Sequence, residues 1–261
     1  MSKINENIGI PNGIEELATD ILNEIYKKWF KGNDVRVLRF NCNFIADKTL
    51  YVYPTDARVR AAYLIDKNQT DGKTIILVNP KFANDSYLYS TLIHELTHVY
   101  EDAMKNKRNT SFVKYFQKNG MDKLHKYMIT RVGQSDIKDE LLKIIYVLQP
   151  HEQNAFIASM FTQFSDSFSD PENAEEALYY IYSTPAYERF EQAIDMAENL
   201  YINETDKSKQ KEILSAVKEL TSFNFKTYQQ FANWLKFKIG KLKRKLSTII
   251  PKMVQKFFDE Y

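Results

Sequence analysis

Leu17, Ile21, Ile25 and Trp29 recur every four residues, the period that sets apolar side chains on one face of a helix. The spacing predicts a helix over residues 14–30, entered by a turn at Pro11-Asn12-Gly13 and ended by Gly32-Asn33-Asp34. The period then changes to short β-like runs at residues 35–40, 49–53, 61–65 and 74–78, separated by Asp, Asn, Gly and Pro. Asp71-Gly72, between the last two runs, reads as a hairpin turn. Asn79-Pro80 breaks the last strand, and Asn84-Asp85-Ser86 offers an N-cap to a helix striped by Leu88, Leu92, Leu96, Val99 and Ala103. Beyond it the pattern is almost wholly helical, at residues 111–118, 137–148, 152–164, 171–182, 187–201 and 207–222, followed by a tail. Residues 106–110 and 130–136 read as loops, and there is no internal repeat. A small, mostly antiparallel sheet followed by many helices makes an α+β fold. The expected divisions are a first helix and sheet at 1–84, a helical subdomain at 85–222 and a basic amphipathic helical tail at 223–261.

Composition narrows this picture. A chain of 261 residues can bury one sizeable core or two small ones. With 17 tyrosines, 17 phenylalanines and only 7 glycines, it favours helices with aromatic packing over a turn-rich β-sandwich. The net charge of +2 gives no global field for nucleic acid. A single cysteine, Cys42, excludes an intramolecular disulfide framework. No activating base lies near it in sequence, so it reads as a half-buried strand residue. Residues 1–7 lack the apolar core of a secretory signal, and no stretch approaches the roughly 20 apolar residues that span a bilayer. A cytoplasmic location, or release by a route that needs no cleaved signal, is therefore expected.

The striped helix also carries His94-Glu95-Leu96-Thr97-His98. Histidines four apart lie one turn above each other on one helical face, where their imidazoles can bind one Zn²⁺. Glu95 is rotated by about 100°, so its carboxylate need not be a ligand and can reach a metal-bound water. That arrangement suits hydrolysis, with the glutamate taking and returning a proton. The bland alternative is a pair of solvated or capped histidines on an amphipathic helix.

The segment resembles the active-site helix of zincin metallopeptidases, and its five central residues read as in the thermolysin-like enzymes. The resemblance spans roughly residues 70–160 and implies a zincin-like fold whose sheet edge lies along the cleft and pairs with an extended peptide. Residues 74–78 are the candidate edge by position, with a buried central strand as the other reading. A metallohydrolase needs a third protein ligand. The metzincin solution is absent, because its glycine and histidine positions hold Glu101 and Met104. Glu152 is the leading carboxylate, two residues after Pro150, which suits the first turn of a helix, and before Ala155, which leaves room for a neighbouring helix. Its Glu-x-x-Ala-Phe-x-Ala pattern is similar to the third-ligand helix of glutamate zincins, particularly the intracellular and phage-associated ones. Glu188 and Glu191 are rivals: Glu188 also follows a proline, and Glu191 with Asp195 supplies a Glu-x-x-x-Asp spacing. The thermolysin-like enzymes place an aspartate four residues after the third ligand to orient the first histidine, whereas Phe156 stands there in this chain. Another acceptor must then fix the His94 tautomer.

Glu101 and Asp102 are candidates for that acceptor or for a ligand, against an ordinary surface role. His125, His151, Tyr182 and Tyr187 are candidate donors to a developing oxyanion. From Lys226 onward, nine Lys/Arg residues face two acids and interleave with aromatic and aliphatic residues, and Pro251 is expected to interrupt the helix. Such a tail either packs on the core with a lysine-rich outer face or meets an anionic partner: a membrane surface, nucleic acid or a protein. The Lys-, Asn-, Ile- and Tyr-rich usage gives an impression of a low-GC bacterium or its phage, which would make virion association natural. The expected activity is zinc-dependent hydrolysis of a peptide or protein substrate, through His94, His98, Glu152 and Glu95. The alternative is a non-catalytic structural or interaction protein retaining a zincin fold, kept open by Phe156 and by the rival third ligands.

Overall fold

The structure, a computed structural model, describes residues 10–30, 35–57, 59–64, 70–104, 136–167 and 171–260. The helix expected at 111–118, the loops beside it and His125 lie outside the described residues. Helix α1 (Ile14–Ile25) starts behind Gly13, whose φ of 86° lies in the left-handed region that glycine enters without strain. Its stripe of Ile14, Leu17, Ala18, Ile21 and Ile25 is buried. A π turn, Tyr26–Phe30, follows it, and the Trp29 indole donates to the Val35 carbonyl at 2.7 Å.

Four strands form at the expected runs, the first starting three residues later than expected: β1 (Leu38–Asn41), β2 (Thr49–Pro54), β3 (Ala61–Leu64) and β4 (Thr74–Val78). Their order in the sheet is β1-β2-β4-β3. Pairs β1–β2 and β3–β4 are antiparallel, but β2 and β4 run parallel with Val52 opposite Ile76, so the sheet is mixed. Asp71 and Gly72 both take positive φ, 50° and 76°, and the Lys73 N–H closes the turn on the Thr70 carbonyl at 2.9 Å. That turn brings β4 back along β3, and β4 then lies between β3 and β2. The 74–78 strand is therefore central, with Ile75, Ile76 and Val78 buried, and the two edges are β1 and β3.

Helix α2 (Tyr87–Met104) starts where the Asp85 carboxylate accepts the Tyr87 N–H at 2.8 Å. Asp85 also takes the Arg60 guanidinium at 2.8 Å, tying the approach to β3 to the start of α2. Leu88, Leu92, Leu96 and Val99 pack with α1 and the sheet around Leu50, Val52 and Ile76. The other face, with Ser90, Ile93, His94, Thr97 and His98, is buried as well.

Helices α3 (Ile137–Val147), α4 (Pro150–Ser167), α5 (Ala174–Tyr182), α6 (Pro185–Met196, extended by a π turn at Ala197–Ile202), α7 (Lys207–Leu220) and α8 (Tyr228–Glu260) build a second core. Asp136, Asn173, Thr184 and Asp206 cap α3, α5, α6 and α7 through side-chain oxygens. The second core holds Leu141, Ile145, Phe156, Phe164, Phe190, Val217 and Phe231. Ala158 of α4 belongs instead to the first, so α4 is the helix shared by both cores.

Helix α8 buries Phe231, Leu235, Ile239, Leu242, Leu246, Ile250, Met253, Val254 and Phe257 in the second core. It does not break at Pro251, which corrects the sequence expectation. A proline inside a helix costs about 3 kcal/mol. Here the ring is exposed while buried apolar residues on both sides hold the two halves on one core. Part of the basic face is engaged, with Lys243 paired to Glu198 at 2.7 Å. Among the described residues, no helix is long and apolar enough to cross a membrane.

This packing yields a paired expectation for α8. Leu242→Ala should lower unfolding free energy by about 2–5 kcal/mol, as for a fully buried leucine. Pro251→Ala should raise it, by up to about 3 kcal/mol, by restoring a backbone hydrogen bond. Urea denaturation of both variants measures this. A Pro251→Ala protein no more stable than the parent would mean that the helix does not run through.

Candidate metal centre

The helical repeat of α2 brings the Nε2 atoms of His94 and His98 to 3.2 Å, with ring centroids 4.8 Å apart. Pro150 opens α4, so Glu152 falls in its first turn, where the helix dipole favours an anion. The Glu152 side chain is 0 % exposed; one carboxylate oxygen lies 3.4 Å from His94 Nε2 and the other 3.4 Å from His98 Nε2. One donor atom from each of His94, His98 and Glu152 falls within 4.8 Å of the others, forming a buried group that can hold a metal ion.

Two observations test that fit. Neither Glu152 oxygen makes a hydrogen bond of good geometry among the described residues. A buried carboxylate left so is costly, and a cation between the three groups would satisfy it. The donor set, two imidazole nitrogens and one carboxylate oxygen, matches the chemistry of a divalent transition metal.

The electrostatics agree with the geometry. Burial pushes Glu152 up, but the charge of His98 and the three neighbouring imidazoles prevail and hold it well below the usual carboxylate range. Burial pushes His98 down, yet Glu152 beside it, with Glu95 and Glu101, raises it to about 9. Glu95 is raised by burial, against the opposing pull of His94 and His98. Tyr146, at the end of α3, is raised far above its ordinary value by burial and by its contact with Glu152.

Around this group the neighbours differ from what spacing alone indicates. The Phe156 ring packs on His94 with centroids 4.7 Å apart. Apart from the Nε2 contacts, no hydrogen bond to His94 is present among the described residues, so packing holds the ring where an acceptor was expected. His151 Nε2 stands 3.4 Å from Glu152, and its ring lies edge-on to His98 at 5.6 Å. Glu101 accepts a short hydrogen bond from Asn154, which accepts from Lys245 of α8 at 2.7 Å. Burial lowers Lys245 to about 8, opposed by Glu101. Burial, and then the charge of nearby Asp102, raises the Tyr63 hydroxyl above its ordinary value.

The rivals fall elsewhere. Glu188 is exposed on the wall of the adjoining cleft and Glu191 is exposed on α6; neither joins the group. Tyr182 and Tyr187 pack on each other at 4.9 Å. Cys42 is buried just past β1, where burial pushes its thiol up to about 11, and it takes no part.

A cleft of ≈ 660 Å³ reaches His94 and Glu95 between β3, α2, α3, α4 and α6. The Tyr63 N–H of edge strand β3 donates to one Glu95 oxygen at 2.8 Å. Basic side chains, Arg60, Lys143 and Arg189, line the same cleft.

No family model, curated protein or solved structure matches this chain. The site is thus read from its own atoms. Reasoning from the sequence passed over Tyr146, the Tyr63 N–H, Arg60 and Arg189. Tyr146 sits in Ile144-Ile145-Tyr146-Val147-Leu148, a run that reads as core, and a backbone N–H has no signature in a sequence.

Two measurements follow from this geometry. After dialysis against mixed divalent transition metals, elemental analysis should find about one ion per chain, greatly reduced in Glu152→Gln and in His94→Ala. Glu188→Gln and Glu191→Gln should bind as the parent does, and loss of metal in either would move the third ligand. The second concerns pH. His98 is raised to about 9 in the metal-free protein. Its ion pair with Glu152 therefore stabilises that state fully below about 6.5, the ordinary histidine value, and is lost as pH rises through about 9. A metal requires the neutral ring, so its affinity should climb about tenfold per pH unit from 7 toward 9, with about one proton released on binding at pH 7. Chelator competition across pH measures the slope; a flat profile would contradict it.

Proposed function

We propose that the chain is a zinc-dependent endopeptidase of the zincin type, with His94, His98 and Glu152 holding Zn²⁺ and Glu95 moving the proton. The observation that carries this reading is that the buried His-His-Glu group adjoins a cleft into which Glu95 of the same helix also faces. Zn²⁺ there would lower the pKa of water and polarise a peptide carbonyl. The remaining chemistry belongs to the chain. One Glu95 oxygen is fixed by the Tyr63 N–H, leaving the other to accept a proton from the attacking water and return it to the leaving amine. Burial raises Glu95 above the ordinary carboxylate value, a direction that suits a group that must both take and give a proton.

Strand β3 supports an extended substrate. The Arg60 carbonyl faces inward to Asn79 while the Tyr63 N–H faces outward to Glu95, so by alternation Ala61 and Tyr63 turn their backbone groups away from β4, and Ala61 lines the cleft. A peptide laid there would pair with a sheet edge beside the metal.

A second reading has one observation in its favour. His151 is 3.4 Å from Glu152 though outside the three-residue group, and a turn of its ring inward as a fourth donor would close the site, as in structural zinc centres. The protein would then be a non-catalytic scaffold.

Glu95→Gln separates the two. It should retain the fold and metal content, since glutamine keeps the shape, while hydrolysis of a mixed-peptide pool read by mass spectrometry falls by about 10²- to 10⁴-fold. His94→Ala serves as the contamination control. Undiminished cleavage by Glu95→Gln would exclude this mechanism, and no cleavage by zinc-loaded wild type would favour the scaffold.

A further inference from the structure

The cleft carries a charge that the hydrolytic machinery does not use. Arg60 is neutralised by Asp85 at 2.8 Å and stacks on Phe82 and Tyr87. Arg189 of α6 is different: among the described residues it has no acidic partner. Its guanidinium lies over the Phe156 ring, 5.5 Å from the centroid. Phe156 in turn packs on His94 at 4.7 Å and is buttressed by Phe190 at 5.7 Å and Tyr146 at 6.0 Å. A guanidinium resting over an aromatic face by its charge still has N–H groups to offer for bidentate binding of a carboxylate. The preceding residue, Glu188, lines the cleft without pairing to Arg189.

Distance fixes where such a carboxylate would lie. The two ring contacts in series put the guanidinium within about 10 Å of the His94 ring, which one to three residues of extended chain can span at about 3.4 Å each. We propose that Arg189, held on the Phe156 platform, binds a carboxylate of the peptide one to three residues from the scissile carbonyl. The inference rests on the peptidase reading for its scissile bond. The carboxylate comes either from the peptide C-terminus or from an acidic side chain. Phe156, where a histidine-orienting aspartate was expected, thereby acquires a use: it links a metal-site histidine to a specificity-determining cation.

Binding tests this without turnover. The probes are hexapeptide pools carrying a neutral dye at the N-terminus: one ending in a free carboxylate, one amidated, and one amidated with Asp or Glu among its last three residues. Each is titrated by fluorescence anisotropy into the zinc-loaded Glu95→Gln protein. At least one carboxylate-bearing pool should bind about 10- to 100-fold more tightly than the neutral amide, the range for a charge-assisted hydrogen-bonded pair. The preference should vanish in Glu95→Gln/Arg189→Gln with metal content unchanged, and persist in part in Arg189→Lys. The pool that gains identifies the source, terminal or side-chain. Equal binding of all pools overturns the proposal, as does a preference that survives Arg189→Gln, which would mean that another cation of the cleft, Lys143, Arg60 or the zinc, takes the carboxylate. Cleavage by wild type with no carboxylate bias overturns it while leaving the peptidase reading intact. Arginine-dependent binding with no wild-type cleavage does the reverse.

Discussion

A carboxylate with no exposed surface sits between two imidazoles at the junction of two hydrophobic cores. Taking an ion of this size out of water costs several kcal/mol, and the cost is tolerable only where opposite charge is fixed beside it. Glu152 meets that condition through His94, His98 and the first turn of α4, and without a metal it holds His98 in the charged form. Anything that separated α2 from α4 would leave this anion uncompensated.

The polar interactions around the seam serve the same register. Gln163 of α4 donates to Ser90 of α2 at 3.1 Å and accepts the Ala186 N–H at the start of α6 at 3.0 Å, linking three helices along one wall of the cleft. On the far side, Lys245, Asn154 and Glu101 connect α8, α4 and α2 in one chain of hydrogen bonds. The basic C-terminal helix is thus tied to the residue two positions beyond Glu152 and to the one three positions beyond His98. Its lysines cover apolar surface and reach specific acceptors, as Lys256 over Phe161 and Lys245 at Asn154 show.

The catalytic reading draws on a division of labour between rigid elements. Two histidines and Glu95 come from one helix, the third donor from the start of another, and the backbone contact to Glu95 from a strand edge. Strand β3 and the residue before it are held to α2 and its approach twice, by Tyr63 N–H to Glu95 and by Arg60 to Asp85, which places a sheet edge beside the helix that carries His94 and His98. Phe156 packs on the His94 ring, which fixes the ring plane but not which nitrogen carries the proton.

Sequence alone determined what repeats locally. Four strands, the helical run beyond residue 136, the Asp71-Gly72 turn, the His94/His98 face and Pro150 ahead of Glu152 were all legible, because each depends on the side-chain period or on φ preferences over a few neighbouring residues. Which strand became the edge was not legible: residues 74–78 are apolar whichever neighbours they have, and only the parallel pairing of β2 with β4 put β3 outside. The same holds for Tyr146 and Arg189, whose proximity to the site arises from contacts between helices far apart in sequence. Pro251 is the converse case, a strong local breaker overruled because the apolar stripe on both sides of it is buried in one core. Periodicity records which face of an element shuns water, whereas the partner that covers that face is chosen only when distant segments compete for it.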